Sequence, residues 1–295
     1  MKLAEIKKPT RPVKSSAPTK HVPKLLVKPD KVEPSAEPSN GAMFQAIGII
    51  VGKVTFDDNF KATVAIEENS YSLFWTRRHY ESMKALAIEV KKHPDTLIRL
   101  IVYPRFTHYP EKDREHVVSF QLVGFNPKQE AKGIANELND FEFKLSGLWQ
   151  FIPVCRTPCI TILRNWEQER KEKLKAQEDP IKRVNFLKAI HAPLMWRDAV
   201  VNPFRFNPRL EKEEQSTRYF VSVKARFDPN RDVFFFQALL GMPTDEPPRY
   251  FKVRAEDKAA ALEAIRKRIN SIKDTVLLKK KGKAITPKKK KPKVK

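Results

Sequence analysis

Residues 44–54 read FQAIGIIVGKV, and this stretch decides the fold because two glycines interrupt an otherwise apolar strand pattern. A turn is predicted at residues 57–59, and residues 60–67 then alternate apolar with polar side chains. Alternation with a period of two is typical of a strand that buries one face. The sequence therefore predicts a β-hairpin whose first strand contains Gly48 and Gly52.

The pattern continues with a short strand at residues 71–75 and a helix at about 78–92 that ends before Pro94. Two more apolar runs, at 97–103 and 116–125, predict two further strands. The predicted order of elements is thus three strands, one helix and two strands.

This order, with glycines inside the first strand, resembles the OB-fold, a five-stranded barrel. The resemblance covers about residues 43–126 and implies a first strand that bends to serve both halves of the barrel. A generic α+β domain over the same residues is the alternative.

A second, related barrel is predicted because residues 143–147, FKLSG, repeat the phenylalanine-to-glycine spacing of 44–48, FQAIG. The strand patterns that follow extend this larger domain over residues 136–255. A highly charged segment at 165–179 predicts an exposed helix inserted between its strands.

A last helix is predicted over residues 256–278, where four aliphatic residues at helical spacing indicate an amphipathic element that packs on the second domain. The four residues are Leu262, Ile265, Ile269 and Ile272. The predicted fold class is therefore mainly β (α+β), with two OB-like small β-barrel domains, at 42–126 and 136–255, and a few helices.

Charge indicates the class of partner. The 58 Lys+Arg against 35 Asp+Glu give a formal net charge of +23. Residues 279–295 hold ten lysines and no acidic residue, and the proline-rich residues 1–41 hold nine basic and four acidic residues. Both segments are predicted to be disordered basic tails. Such a field attracts polyanions, so nucleic acid is the first partner to consider.

Several classes of protein are disfavoured. The N-terminus has no apolar core of a secretory signal, and no run approaches the roughly 18 apolar residues of a membrane-spanning helix. Two cysteines do not make a disulfide framework. We expect no membrane partner and a cytoplasmic location, with nuclear or organellar import left open by the basic ends.

The cysteine pair is the first candidate for a metal site. Cys155 and Cys159 form a C-x-x-x-C pair, but no second close pair of cysteines or histidines could complete a structural zinc site. Phosphate-binding loops and the G-x-S-x-G and H-E-x-x-H motifs do not occur. We therefore predict neither a metal, nor a cofactor, nor an enzymatic activity.

Interleaved aromatic and basic side chains are what single-stranded nucleic acid requires, because cations contact phosphates and rings stack on bases. The hairpin over residues 218–240 carries this pattern most clearly. Its alternation places one face in the core and leaves Lys224 and Arg226 on the other. The core face is predicted to hold Val221, Val223, Ala225 and Phe227.

Phenylalanines are predicted to accompany the two basic residues as a stacking surface. The alternatives are that the helix 256–273 covers this face, and that Asp232 pairs with Arg226. The residues predicted to bind nucleic acid are Arg77, Arg78, Arg156, Arg164, Arg197, Arg205, Phe220, Lys224, Arg226 and Phe234.

The predicted function is non-catalytic binding of RNA or single-stranded DNA through β-surfaces and lysine-rich tails. The alternative is a structural or adaptor protein that docks on a protein partner within a nucleoprotein assembly. No base-reading motif distinguishes RNA from DNA.

Overall fold

The computed structural model describes residues 42–111, 113–126 and 137–283, and for residues 126 and 273–283 it describes the backbone only. The predicted N-terminal tail and most of the predicted C-terminal tail lie outside the described residues. The strands are β1 (Gln45–Phe56), β2 (Ala62–Ile66), β3 (Asn69–Phe74), β4 (Leu97–Thr107), β5 (Val117–Asn126), β6 (Glu142–Gln150), β7 (Cys159–Ile162), β8 (Arg164–Asn165), β9 (Ile190–Met195), β10 (Phe220–Asp228), β11 (Val233–Leu239) and β12 (Tyr250–Phe251). The helices are α1 (Tyr80–Lys92), α2 (Gln168–Ala176), α3 (Pro180–Leu187) and α4 (Ala255–Lys283), with a 3₁₀ helix at Arg77–His79.

Strands β1 to β5 close into a five-stranded barrel. β1 pairs with both β2 and β4, β2 with β3, β4 with β5, and β3 runs parallel to β5. The order around the barrel is therefore 1-2-3-5-4, with α1 between the third and fourth strands, which is the OB-fold arrangement. Gly52 is required here because a Cβ at this position would collide with the carbonyl of Ala65 on β2.

A second barrel has the same strand order. β6 pairs with both β7 and β10, β7 with β9, β10 with β11, and β9 runs parallel to β11. The insertions differ, because α2 and α3 lie between the second and third strands of this barrel. The loop 196–219 takes the place that α1 has in the first barrel. The predicted fold class, mainly β with OB-like barrels, is confirmed.

The two barrels are joined along one strand pair. Residues 45–48 of β1 pair antiparallel with residues 143–146 of β6, so all ten barrel strands belong to one sheet. Buried side chains of both barrels form one core cluster, in which the ring of Phe120 meets that of Phe227 at 5.5 Å. The boundaries of the two predicted domains stay a prediction.

Helix α4 packs against α3 by a face that the periodicity did not indicate. Ala261 is buried at 4% exposure, and ion pairs from Asp257 to Arg183 (2.8 Å) and from Arg268 to Asp179 (2.9 Å) hold the helix in place. The four aliphatic residues expected to pack inward are instead exposed, at 66% for Leu262, 40% for Ile265, 47% for Ile269 and 62% for Ile272. The packing of α4 on α3 therefore leaves these larger side chains facing outward. Among the described residues, no helix is long and apolar enough to cross a membrane.

Candidate nucleic-acid interface

The outer surface of β3, β5 and β4 presents two rows of side chains that run across the three strands. Register places Phe74, Gln121 and Tyr103 side by side in one row. The next row holds Ser72, Ser119 and Arg105. We call these six residues the rung face. Because residues paired in register share one side of a sheet, the two rings and the guanidinium all lie on this face.

The sequence of β4 explains why these groups point outward. Its residues LIRLIVYPRFT alternate, so that Leu100, Val102 and Phe106 are buried while Arg105 is exposed. Tyr103 is half-buried, and Phe74 at the end of β3 is 46% exposed. The rung face therefore offers aromatic surface to a ligand without opening the core.

Arg105 of the rung face is an electrostatic neighbour of Arg164, and so is Arg170; we call these three residues the arginine cluster. Burial lowers the pKa of Arg164, and the neighbouring charges of Arg105 and Arg170 lower it further. Tyr103 also interacts electrostatically with Arg164. Because the three positive charges lie near one another, positive potential is concentrated next to Tyr103.

Strand β8 positions Arg164 at the junction of the two barrels. The side chain of the next residue, Asn165, accepts a hydrogen bond from the backbone N–H of Phe44 (2.7 Å) and donates one to its carbonyl (2.9 Å). Arg164 itself donates from Nε to the carbonyl of Phe186 at 3.0 Å, with its guanidinium 5.4 Å from that ring. The cluster is thus built from β4 of the first barrel and from β8 and α2 of the second.

Compensating acidic groups are few. Arg170 lies 3.1 Å from Glu167 on the same turn. Within the described ranges, no carboxylate comes within 4.0 Å of Arg105 or Arg164. Arg105, and Arg164 through the N–H groups other than the Nε that is bonded to Phe186, can therefore contact an anionic ligand such as a phosphate.

Three predicted residues lie in or next to this region. Arg164 belongs to the cluster, and Arg77 and Arg78 are exposed on the 3₁₀ helix that follows β3. Arg78 is also an electrostatic neighbour of Glu169 on α2. Lys173 is the main cause of the lowered pKa of Glu169 on α2, and Arg170 and Arg78 act in the same direction.

Phe74, Tyr103, Arg105 and Arg170 were missed by sequence reasoning. For Tyr103 and Arg105 a signal existed, because the alternation along β4 places both on the outward face. For Arg170 there was none, because its position beside Arg164 depends on how α2 docks.

Two predicted stacking residues are wrong. Phe220 is 4% exposed and meets the ring of Phe44 edge-on at 5.2 Å, and Phe234 is fully buried against Phe143 at 5.0 Å. Both rings fill the core where β10 and β11 approach the first barrel. Neither can stack on a base.

The two basic residues of the hairpin have partners within the protein. Lys224 lies 3.2 Å from the carboxylate of Glu142, and Arg226 donates a hydrogen bond to the carbonyl of Asp140 at 3.4 Å. Asp232, the expected rival partner of Arg226, instead accepts a hydrogen bond from the hydroxyl of Tyr71 at 2.8 Å. The predicted phosphate role of Lys224 is therefore replaced by a structural ion pair.

The predicted core face of the hairpin is confirmed, since Val221, Val223, Ala225 and Phe227 are all buried. The alternative that helix 256–273 covers the opposite face is wrong, because α4 packs against α3. Arg226 remains exposed on the hairpin.

Arg156, Arg197 and Arg205 are exposed on other parts of the second barrel. Arg156 lies 4.0 Å from Glu115, and Arg205 lies over the ring of Phe151 at 5.2 Å. Arg218, in the same loop as Arg205, covers Phe204 at 4.3 Å. Rings covered in this way by the protein's own cations are less available to bases than Phe74.

Comparison with known proteins adds little. No protein-family model and no curated protein matches the chain. Among solved structures, the chain is similar to a deletion mutant of the single-stranded DNA-binding protein from Thermus aquaticus. That likeness has 11% sequence identity and a TM-score of 0.28, and it covers 72% of this chain and 98% of the other. A TM-score this low does not indicate function.

Proposed function

We propose that this protein binds single-stranded nucleic acid, RNA or DNA, without catalysing a reaction on it. The rung face and the arginine cluster together form the binding surface. The observation that carries the proposal is the convergence of two aromatic side chains and three arginines, of which Arg105 and Arg164 have no carboxylate partner among the described residues.

The arrangement suits the chemistry of a single strand. Phe74 and Tyr103 are separated by one intervening strand, so their backbones stand about 10 Å apart. Each can stack on a base, at about 1–3 kcal/mol per base. The arginine cluster lies beside Tyr103, where it can contact the phosphates of the stacked nucleotides. None of these contacts reads the identity of a base, so a sequence-tolerant binder is expected.

The repulsion within the arginine cluster makes the proposal testable, because it opposes folding while it favours binding of an anionic ligand. Neutralising Arg105 removes repulsion from Arg164 and also removes a phosphate contact. Arg105→Gln should therefore weaken binding of a single strand without lowering the melting temperature. A residue that merely stabilised the fold would behave in the opposite way.

The experiment measures fluorescence anisotropy of labelled single-stranded RNA and DNA oligonucleotides with the full chain at fixed salt. Arg105→Gln combined with Arg164→Gln should weaken binding about tenfold or more, which is about 1.4 kcal/mol. Arg209→Gln combined with Lys212→Gln, which also neutralises two cations, both exposed in loop 196–219, is the matched control and should bind like the unmodified protein. Equal affinity of the double variant and the control would contradict the proposal.

A second candidate function, docking on a protein partner, is favoured by the exposed aliphatic stripe of α4. Leu262, Ile265, Ile269 and Ile272 are spaced three, four and three residues apart, which is the a/d spacing of a coiled coil. Arg266 flanks the stripe and is exposed. A second copy of the same helix would bring like charges together, so the occupant we propose is a partner helix with acidic residues beside its apolar seam.

A synthetic helix with leucines at its a and d positions and glutamates at e and g tests this second function. It should bind the full chain, and Ile269→Asp should abolish that binding, while Arg209→Gln leaves it intact. Failure to bind would remove the docking candidate, and so would sedimentation of the chain alone as a dimer that Ile269→Asp dissociates.

A further inference from the structure

A pocket of about 320 Å³ lies between the connection from β4 to β5 in the first barrel and the loop from β6 to β7 in the second. Its wall includes His108, Arg114, His116, Cys155 and Arg156. None of the six residues of the rung face lines this pocket, so the two sites share no residue. Its most reactive group is a thiol.

Two free cysteines meet at the base of this pocket. Cys155 is 9% exposed and lines the pocket, whereas Cys159, the first residue of β7, is fully buried behind it. The two side chains lie close enough for each thiol to shift the pKa of the other. Cys159 also donates from Sγ to the backbone carbonyl of Gln150 at 3.5 Å. One thiol is therefore accessible from the pocket, and the other is held directly behind it.

His108 is the third member of the group. Its Nε2 lies 2.8 Å from the carbonyl of His191, and its ring lines the same pocket as Cys155, which raises the pKa of His108. The ring of His116 lies 5.3 Å from that of His108. Within the described part of the chain, no set of three or more His, Cys, Asp or Glu side chains is arranged to hold a metal ion.

The charge states follow from these contacts. The neighbouring Cys159 side chain is the main cause that lowers the pKa of Cys155, to about 5; burial opposes it, and His108 and His116 lower the pKa further. Burial and the charge of Lys188 lower the pKa of His108. The neighbouring Cys155 and the hydrogen bond to the His191 carbonyl outweigh both, so the pKa of His108 is raised overall. These neighbours favour the thiolate form of Cys155, while the nearby Cys155 side chain, together with burial, raises the pKa of Cys159 and favours its thiol form.

We propose that this pocket is a thiol oxidation site for small hydroperoxides, in which Cys155 is the attacking sulfur and Cys159 the resolving one. The Cys155 thiolate attacks one oxygen of the peroxide, and the O–O bond breaks. The sulfur loses two electrons, the peroxide gains them, and the departing oxygen takes a proton from His108. The products are a sulfenic acid on Cys155 and water or an alcohol.

The buried thiol completes the reaction. The sulfur of Cys159 attacks the sulfenic sulfur, an S–S bond forms, and the S–O bond breaks. The hydroxide that leaves combines with the thiol proton of Cys159 as water. The outcome is an intramolecular disulfide at the junction of the two barrels, which a dithiol reductant reverses.

The test uses the reduced full chain and hydrogen peroxide, with mass spectrometry of the intact protein and its peptides. The unmodified chain should lose two hydrogen atoms and gain a link between Cys155 and Cys159. Cys159→Ser should instead accumulate a sulfenic acid that dimedone traps on Cys155, and Cys155→Ser should give neither product. Peroxide treatment that yields no disulfide in the unmodified, folded chain would overturn the proposal.

A second measurement does not depend on any variant. The rate at which iodoacetamide labels Cys155 in the unmodified chain should be nearly constant between pH 8 and pH 6, whereas labelling of free cysteine falls about tenfold per pH unit. His108→Gln should shift this profile to higher pH. A profile for Cys155 that matches free cysteine would exclude the thiolate and the proposed site with it.

Discussion

The ammonium group of Lys224 on β10 lies 3.2 Å from the carboxylate of Glu142 on β6, and the Glu142 side chain is only 6% exposed. The backbone N–H of Asn139 donates a second hydrogen bond to the same carboxylate at 2.9 Å. Burial raises the pKa of Glu142, but Asn139 and Lys224 outweigh it, so that the pKa lies below its usual value of 4.5. This ion pair holds the hairpin of the second barrel to β6.

Reversing the charge of Lys224 should therefore destabilise the protein. Lys224→Glu would place two carboxylates together at a nearly buried site, and loss of one partner of a buried pair costs about 3–5 kcal/mol, less here because Lys224 is partly exposed. Urea unfolding should show a loss of about 2 kcal/mol or more. Arg231→Glu, at an exposed position in the turn of the same hairpin, should change stability little. Equal stability of the two variants would contradict the structural role of Lys224.

The same pair predicts a pH dependence of stability. A carboxyl group whose pKa is lower in the folded than in the unfolded state stabilises the fold above its unfolded value, near 4.5, and this stabilisation is lost as the pH falls through the folded value. The difference in unfolding free energy between the unmodified chain and Lys224→Met should be largest at neutral pH and should shrink in acid. A difference that is constant with pH would show that Glu142 does not depend on Lys224.

Truncation of the two rings on the rung face should weaken binding of single strands. Phe74→Ala and Tyr103→Ala each remove a surface on which a base can stack, which is worth about 1–3 kcal/mol. Anisotropy titrations would measure the loss for each variant. Ile88→Ala removes an exposed apolar side chain from α1 and serves as the control. If all three variants bind alike, the rings do not stack on the ligand.

The dependence of affinity on salt should report the C-terminal lysines. Each phosphate contact on a single strand contributes about 0.7 to the slope of log affinity against log salt. Removal of residues 284–295, which carry six lysines, should make the slope shallower by several such contacts. A slope that does not change would show that this segment stays off the nucleic acid.

Local patterns in the sequence predicted the strands well but not the contacts between distant segments. The alternation of β10 correctly placed Val221 and Val223 in the core, yet Phe220 is also buried because Phe44 of the first barrel packs on it. Lys224 could not be assigned a role from its own strand, since its partner Glu142 lies on β6. In the same way, the position of Arg164 near Arg105 depends on contacts between the barrels, such as the bonds of Asn165 on β8 with Phe44.

The predicted packing of α4 was wrong for a different reason. Four aliphatic residues at helical spacing indicate an apolar stripe, but not which surface it contacts. The ion pairs of Asp257 and Arg268 with the region of α3 fix the orientation of α4, and they leave the stripe exposed. An apolar stripe that is exposed therefore indicates a binding partner, whereas one that is buried indicates packing within the fold.

Ultraviolet crosslinking of the unmodified full chain to a single-stranded oligonucleotide tests the location of the binding surface most directly. Peptides identified by mass spectrometry should carry nucleotide on Phe74 and Tyr103, because stacked rings crosslink efficiently to the bases they contact. Crosslinks confined to residues 1–41, to residues 284–295 or to the hairpin of β10 and β11 would contradict a binding surface on β3, β5 and β4.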